Sequence, residues 1–185
     1  MNPIRFIALA ALAIASTYAQ AHVQGAGWHS HGFRDGLLHP LTGLDHLLAM
    51  LAVGMWSVRQ SAKAALPLGF LGLLLVGVLS GVAGLEIPGL EAGIALTVAM
   101  LGVLLAAAVR LPQWLAAAML ATFAILHGNA HGHELPAVAS TLGLMLTSAL
   151  LVYAGRVLGL AVSLRMLKWT GAALAASGAM LLTLA

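Results

Sequence analysis

The segment His39-Pro40-Leu41-Thr42-Gly43-Leu44-Asp45-His46 places two imidazoles and a carboxylate in a stretch that is otherwise apolar from residue 36 to residue 58. Ionisable side chains at membrane depth are energetically costly, and they mark ion pathways, cofactor sites or proton relays. A second cluster, His127-Gly128-Asn129-Ala130-His131-Gly132-His133-Glu134, lies in a later apolar segment. Two polar clusters inside apolar segments predict a membrane protein whose histidines have a functional role.

The composition predicts a polytopic membrane protein of the all-α class. Of the 185 residues, 62% are hydrophobic and 7% are charged, and the mean hydropathy is +1.03. Five acidic and eight basic residues cannot form the charged exterior that a soluble domain of this size needs. The net charge of +3 does not indicate nucleic acid, because the basic residues stand singly between apolar runs, where they act as topology signals. The absence of cysteine excludes disulfides and thiolate metal sites.

Residues 1–21 have the pattern of a cleaved secretory signal peptide. Arg5 supplies a positive charge, an apolar run follows, and Ala19-Gln20-Ala21 forms a small-x-small cleavage site. An uncleaved first helix is the alternative. Cleavage would make residues 22–35 a histidine-rich extracytoplasmic arm with His22 at the new N-terminus. That arm either pre-binds a metal ion, with His22 as a candidate ligand, or is a solvated tail.

Residues 36–185 are predicted to form one transmembrane domain of six helices. Each apolar segment is close to the roughly 20 residues that cross a hydrocarbon core. Short connections with charged residues, glycine or proline separate the segments. The predicted spans cover residues 36–58, 66–85, 89–109, 113–133, 136–155 and 169–184, and residues 157–164 are apolar enough to extend the fifth.

The basic residues predict the orientation of the chain. With the signal peptide removed, the first span runs inward, and most basic residues then fall on the cytoplasmic side. They are Arg59, Lys63, Arg110, Arg156, Arg165 and Lys168. Both mature termini are therefore predicted to be extracytoplasmic. Helices 1–3 and 4–6 then run in opposite directions, as in an inverted repeat of three plus three helices, although the two halves do not visibly align.

Both polar clusters are predicted to lie in the extracytoplasmic half of the membrane, on helices 1 and 4. His39 and His46 share a helix face, but on a regular helix they would stand roughly 10 Å apart along the axis, too far for one ion. Pro40 and Gly43 allow the alternative of an unwound segment. Asp45 points to one side, where it either pairs with another helix or orients an imidazole.

The second cluster has the spacing of a metal-binding helix face, because His127, His131 and Glu134 stand at i, i+4 and i+7. The metalloprotease motif H-E-x-x-H is not present, since Gly128 occupies the position of its glutamate. Imidazole and carboxylate donors suit nickel, cobalt or zinc, and the lack of cysteine disfavours monovalent copper. Met50, one turn below His46, either packs or forms a deeper contact with the ion. The candidate metal ligands are thus His39, Asp45, His46, His127, His131 and Glu134, with Met50 and His22 in addition.

The run from His39 to His46, followed by Met50 and Gly54, and the run from His127 to Glu134 resemble the two signature motifs of the HupE/UreJ family, and the resemblance covers the whole chain. That family comprises bacterial nickel and cobalt permeases associated with hydrogenase and urease systems. The resemblance implies secondary uptake of Ni²⁺ or Co²⁺ across the bacterial inner membrane, with the first six candidate ligands at matching motif positions. It also implies a functional link to hydrogenase or urease maturation, and no prosthetic group.

A path for the ion follows as a hypothesis. The hydrated ion would first bind His39, His127 and His131, and then pass inward by way of Asp45 and His46. No nucleotide-binding motif such as a P-loop is present, so any ATP drive would have to come from another chain, and secondary transport or facilitated diffusion is favoured. The chain is not predicted to be an enzyme.

Two other function classes stay open. One is a membrane protein that binds a metal or haem as an accessory subunit or sensor. The other is a membrane metalloenzyme, which the missing protease glutamate and the small number of histidines disfavour. The predicted partners are the divalent ion and the lipid bilayer, with no nucleic acid and no prediction for the oligomeric state.

Overall fold

The computed structural model describes residues 32–185, so the predicted signal peptide, His22 and most of the histidine-rich arm lie outside the described residues. Within residues 32–185 the chain is helical and contains no strand, which confirms the all-α prediction for this part. The helices are α1 Phe33–Thr42, α2 Leu44–Ser57, α3 Ala65–Val82, α4 Leu90–Ala107, α5 Gln113–Glu134, α6 Val138–Ala161 and α7 Leu164–Leu182.

The first predicted span is formed by two helices instead of one. α1 and α2 are separated by Gly43, and their axes are bent by 81°. Pro40 has no N–H to donate to the Gly36 carbonyl, and Gly43 is extended, with φ −81° and ψ 109°. Thr147 of α6 donates a 2.8 Å hydrogen bond to the Leu37 carbonyl, which anchors α1 beside the bend. A continuous helix over residues 36–58 is therefore not formed, and the break falls where Pro40 and Gly43 allow it.

Three helices in the described part are long and apolar enough to cross a membrane, namely α3, α4 and α6. The bent pair α1–α2 makes a fourth span if it is counted as one. α5 and α7 have 22 and 19 residues but are less apolar, and α5 ends in the His127–Glu134 cluster. The chain is thus a multi-pass helical membrane protein, and the number of six spans stays a prediction.

The last two helices are longer than predicted. α6 continues to Ala161 and α7 begins at Leu164, so the apolar residues after 155 extend the fifth segment instead of forming a loop. Ser163 ends this connection, because its side chain accepts a hydrogen bond from the Met166 N–H at 3.3 Å and so caps α7.

Small residues bring the helices together in close pairs. α3 packs on α5, α4 packs on α7, and α6 packs on both α1 and α2. In the first pair, Gly77 and Gly81 of α3 face Gly128 and Gly132 of α5, and a Cβ added to any of these would overlap backbone atoms of the other helix. Each helix therefore carries a small-xxx-small motif, the pattern that lets membrane helices approach closely.

The directions of the pairs follow from their glycine contacts. α3 and α5 are parallel, α2 and α6 are parallel, and α4 and α7 are antiparallel. The contacts that set these directions are Gly77 with Ile125 and Gly81 with Asn129, Gly155 with Leu51 and Gly159 with Met55, and Gly171 with Ala106 and Gly178 with Ala99. α2 lies at the centre of the bundle, since every residue from 52 to 58 is buried.

Candidate metal site

Four imidazoles meet where α2 begins and α5 ends. Between ring centroids, His46 lies 3.8 Å from His131 and 5.0 Å from His127, and His39 lies 4.9 Å from His131. The break at Gly43 makes this arrangement possible, because it turns the rings of His39 and His46 toward the same partner helix. The structure therefore brings residues of both sequence clusters into one site.

His39, His131 and Glu134 form the part of the site nearest the surface, which we call the rim triad. Glu134 Oε2 is 2.7 Å from His39 Nε2 and 3.6 Å from His131 Nδ1. One donor atom from each of the three residues lies within 4.8 Å of the others, which is close enough to hold a metal ion. His39 and Glu134 are 25% and 26% exposed, whereas His131 is 1% exposed, so the rim triad is accessible from one end of the bundle.

Asp45, His46 and His127 form the deep triad beneath it. Asp45 Oδ1 accepts a 2.9 Å hydrogen bond from the His46 backbone N–H and lies 3.1 Å from His46 Nδ1. His127 Nδ1 is 2.9 Å from the Phe123 carbonyl, to which it donates. In metal sites such bonds at one ring nitrogen fix the tautomer and leave the other nitrogen to bind the ion. Asp45 therefore contacts the His46 ring as an orienting residue would, and its roles as orienting residue and as ligand stay predictions.

Several ring nitrogens in the site are buried without a hydrogen-bond partner among the described residues. They are Nε2 of His127 and both ring nitrogens of His131. A buried polar atom left unpaired costs about 1–3 kcal/mol, and native proteins contain few of them. Because the rings of His127 and His131 both contact His46, a divalent cation is a partner that could bind nitrogens of more than one ring.

α5 positions its donors through its own regular geometry and through contacts with α3. Asn129, on the α3-facing side, donates from Nδ2 to Ser80 Oγ at 3.0 Å and to the Leu85 carbonyl at 2.9 Å. His133 Nε2 donates to the same carbonyl at 3.1 Å. These bonds tie the end of α5 to the end of α3. Asn129 was not predicted to have a role. Its position between Gly128 and Gly132, on the face that packs closely against another helix, was the feature of the sequence that could have indicated one.

The two remaining candidate ligands are not part of either triad. Met50 is fully buried and belongs to the hydrophobic core with Val53 and Leu101, so packing accounts for its position. Its role as a ligand stays a prediction. His22 lies outside the described residues.

Beneath the deep triad, α2 is closed off from the opposite end of the bundle. The buried side chain of Trp56 donates from Nε1 to the Val109 carbonyl at 3.2 Å, and Gln60 Nε2 donates to the same oxygen at 3.1 Å. The Leu111 N–H in turn donates to Gln60 Oε1 at 3.0 Å. The site is therefore accessible from the side of the rim triad and closed on the other side.

Comparison with known proteins gives two matches. The family described as HupE / UreJ protein matches residues 9–181, which include both histidine clusters. Protein HupE of Rhizobium leguminosarum bv. viciae is 44% identical over 137 residues, covering 73% of this chain and 70% of that protein. No solved structure matches the chain.

Proposed function

The chain belongs to the HupE/UreJ family, and from this premise we propose that it takes up divalent nickel or cobalt across the bacterial inner membrane through the two triads. The observation that carries the proposal is the meeting of six nitrogen and oxygen donors from α1–α2 and α5. Such donors suit nickel, cobalt and zinc. The ion is substrate in this function, and no prosthetic group is needed.

The proposed path runs from the rim triad to the deep triad. An arriving ion would exchange water for His39, His131 and Glu134, and would then pass to His46 and His127. His131 contacts rings of both triads, at 4.9 Å from His39 and 3.8 Å from His46, and is therefore the relay between them. This order differs from the one expected from sequence, because Glu134 takes the place of His127 among the first ligands. Conduction needs binding that is strong enough for the ion to enter and weak enough for it to leave, and two adjacent sites meet both needs.

The topology proposed for this function has six spans, a cleaved signal peptide and both mature termini outside the cytoplasm. The helix pairing supports an inverted repeat. If α1–α2, α3 and α4 form one half and α5, α6 and α7 the other, exchanging the halves converts the parallel α2–α6 pair into the parallel α5–α3 pair. The antiparallel α4–α7 pair is left unchanged. Sites at the interface of such repeats are typical of secondary transporters. The proposal also includes a functional link to hydrogenase or urease maturation, which the family suggests.

The test is accumulation of radioactive nickel or cobalt in cells that express the chain at matched membrane levels. His46→Ala removes a ring that contacts both His127 and His131, so accumulation is expected to fall to the level of cells without the protein. His133→Ala is the matched control, since His133 is exposed and belongs to neither triad; Asn129 retains its own bond to the Leu85 carbonyl, so only a small fall is expected. Equal accumulation by the wild type and His46→Ala would show that the triads are not the path.

A metal-binding accessory or sensor protein is the second candidate, and the closure by Trp56 and Gln60 favours it, because an ion could be held without release. Purified protein in sealed vesicles distinguishes the two. Entry of the ion into the vesicles supports a carrier, whereas stoichiometric binding without entry supports a sensor. Haem is disfavoured, since His46 and His131 lie 3.8 Å apart and leave no space for a porphyrin between their rings.

A further inference from the structure

A second polar feature lies at the end of the bundle opposite the triads. A cavity of about 430 Å³ opens between the turn that follows α2, the loop that follows α4, and α6. Arg59, Lys63 and Arg110 line it together with Gln60 and Ser61, and no carboxylate does. Its volume falls in the range of small-ligand sites. The distribution of basic residues predicts that this end faces the cytoplasm.

Hydrogen bonds position the guanidinium of Arg59 and the backbone segments that carry Lys63 and Arg110. Arg59 donates from Nη2 to the Gly159 carbonyl of α6 at 3.3 Å. Arg110 is held from both sides, because Gln60 bonds to the carbonyl before it and to the N–H after it. The backbone carbonyl of Lys63 accepts a hydrogen bond from Arg156. Specific contacts therefore hold the guanidinium of Arg59 and the backbone at Lys63 and Arg110 around one cavity.

Among residues 32–185, no ion pair joins these cations to a carboxylate. All five acidic residues belong to segments near the other end, or to the first turn of α2 in the site: Asp35, Asp45, Glu86, Glu91 and Glu134. The Nε atom of Arg59 is buried and has no hydrogen-bond partner among the described residues. Gathering like charges is unfavourable, so an anion from outside the chain would stabilise this group of cations.

The orientation signal alone does not require a cavity. Arg165 and Lys168 of α7 serve as basic residues at the same predicted side of the membrane, and they line a separate cavity of about 560 Å³ with Trp169 and Ala172. The cavity at Arg59 differs from the one at Arg165 and Lys168 in two respects, which are its three basic side chains and a buried guanidinium nitrogen without a hydrogen-bond partner among the described residues.

We propose that this cavity binds a phosphate group, supplied by the headgroup of an acidic phospholipid or by a free cytoplasmic phosphate. Guanidinium groups bind phosphate through paired, charge-assisted hydrogen bonds, and a lysine adds a point charge. Basic pockets between membrane helices on the cytoplasmic side bind acidic headgroups. The site is distinct from the two triads and does not depend on the metal that they bind.

The test measures binding of phosphatidylglycerol, phosphatidylcholine and inorganic phosphate to the purified full chain in a neutral detergent, by native mass spectrometry and by thermal unfolding. Phosphatidylglycerol is expected to be retained and phosphatidylcholine to be lost. The double variant Lys63→Gln, Arg110→Gln changes two exposed residues, so its fold is expected to persist, and its binding should be at least about tenfold weaker. The double variant Arg165→Gln, Lys168→Gln removes the same charge outside the cavity, and its binding should stay within about twofold of the wild type.

The source of the phosphate is read from competition. If inorganic phosphate displaces phosphatidylglycerol, the cavity recognises the phosphate group from either source, and if it does not, the lipid headgroup is the ligand. Equal weakening in the two double variants would assign the binding to general surface charge and overturn the proposal. Absence of binding by both phosphatidylglycerol and inorganic phosphate would overturn it as well.

Discussion

The two helical segments that build the candidate metal site bring their donors to the same place in opposite ways. α5 runs without interruption to Glu134, and its donors share a face because they are spaced by four and three residues. α1 and α2 carry His39 and His46 seven residues apart, and only the 81° bend at Gly43 lets both rings contact His131. The donors of α5 therefore depend on a continuous helix, whereas those of α1 and α2 depend on a break in the helix.

This difference shows that the site depends on residues that bind nothing. Along α5 the continuous helix must lie against α3, and Gly128 and Gly132 allow this because they have no side chain. In α1–α2 the same dependence falls on Pro40 and Gly43. Four substitutions distinguish the effect of losing a donor from the effect of losing a residue that positions the donors. They are given in order of decreasing expected effect.

Among the four substitutions, the largest loss of uptake is expected for His131→Ala, because the His131 ring contacts His39 of the rim triad and His46 of the deep triad. Accumulation of nickel or cobalt should fall by roughly 100-fold or more, beyond the 10- to 100-fold typical when a residue that only orients a ligand is lost. The measurement is initial uptake rate at equal expression. A loss no larger than that of His133→Ala would contradict the relay role.

Gly128→Ala is expected to act on stability, since the added methyl group would overlap the Leu74 carbonyl of α3. Overpacking of this kind costs about 1–3 kcal/mol, which should appear as a lower unfolding free energy in detergent. Gly72→Ala is the matched control on α3, because no atom lies within 4 Å of the position that its new Cβ would take. Equal stability of the two variants would show that the close α3–α5 contact is not needed.

Asp45→Asn keeps the shape of the side chain and removes the charge that orients His46. Uptake is expected to fall by about tenfold, with binding at the rim triad retained. Uptake at limiting and at saturating ion concentration separates these effects. Unchanged uptake would mean that the 3.1 Å contact between Asp45 and His46 has no part in transport.

Gly43→Ala should have the smallest effect of the four. The new Cβ would lie 3.2 Å from Asp45 Oδ1 and 3.3 Å from His46 Nδ1, so both groups must shift by a few tenths of an ångström. A cost of roughly 1 kcal/mol corresponds to about a fivefold loss of uptake. Gly93→Ala is the control, because its equally close neighbour, Leu126 Cδ1, is the end of a flexible side chain. The same loss in both variants would make the position of the bend unimportant.

The sequence predicted the helical class and the candidate donor residues because both are local signals. Apolar length predicts a span, and the spacing of His127, His131 and Glu134 predicts a shared face, whatever the rest of the chain does. Pro40 and Gly43 likewise showed where the first span could break.

The direction of the bend could not be predicted, because distant contacts set it. Gly36 and Leu37 of α1 lie against Ser140 and Thr147 of α6, more than 100 residues away along the chain. The pairing of His39 with Glu134 follows from that bend. The contact between His39 and Glu134 was therefore not predicted, and the order of the donors along the path stays a hypothesis.

The contact between Gly77, Gly81 and the two glycines of α5 has one further consequence. Two backbones that touch without side chains between them leave little free volume for sliding, so we expect α3 and α5 to move together. His127, His131 and Glu134 all travel with them. Any motion that widens the gap to His39 and His46 must then take place in the other partner, with Gly43 as the hinge.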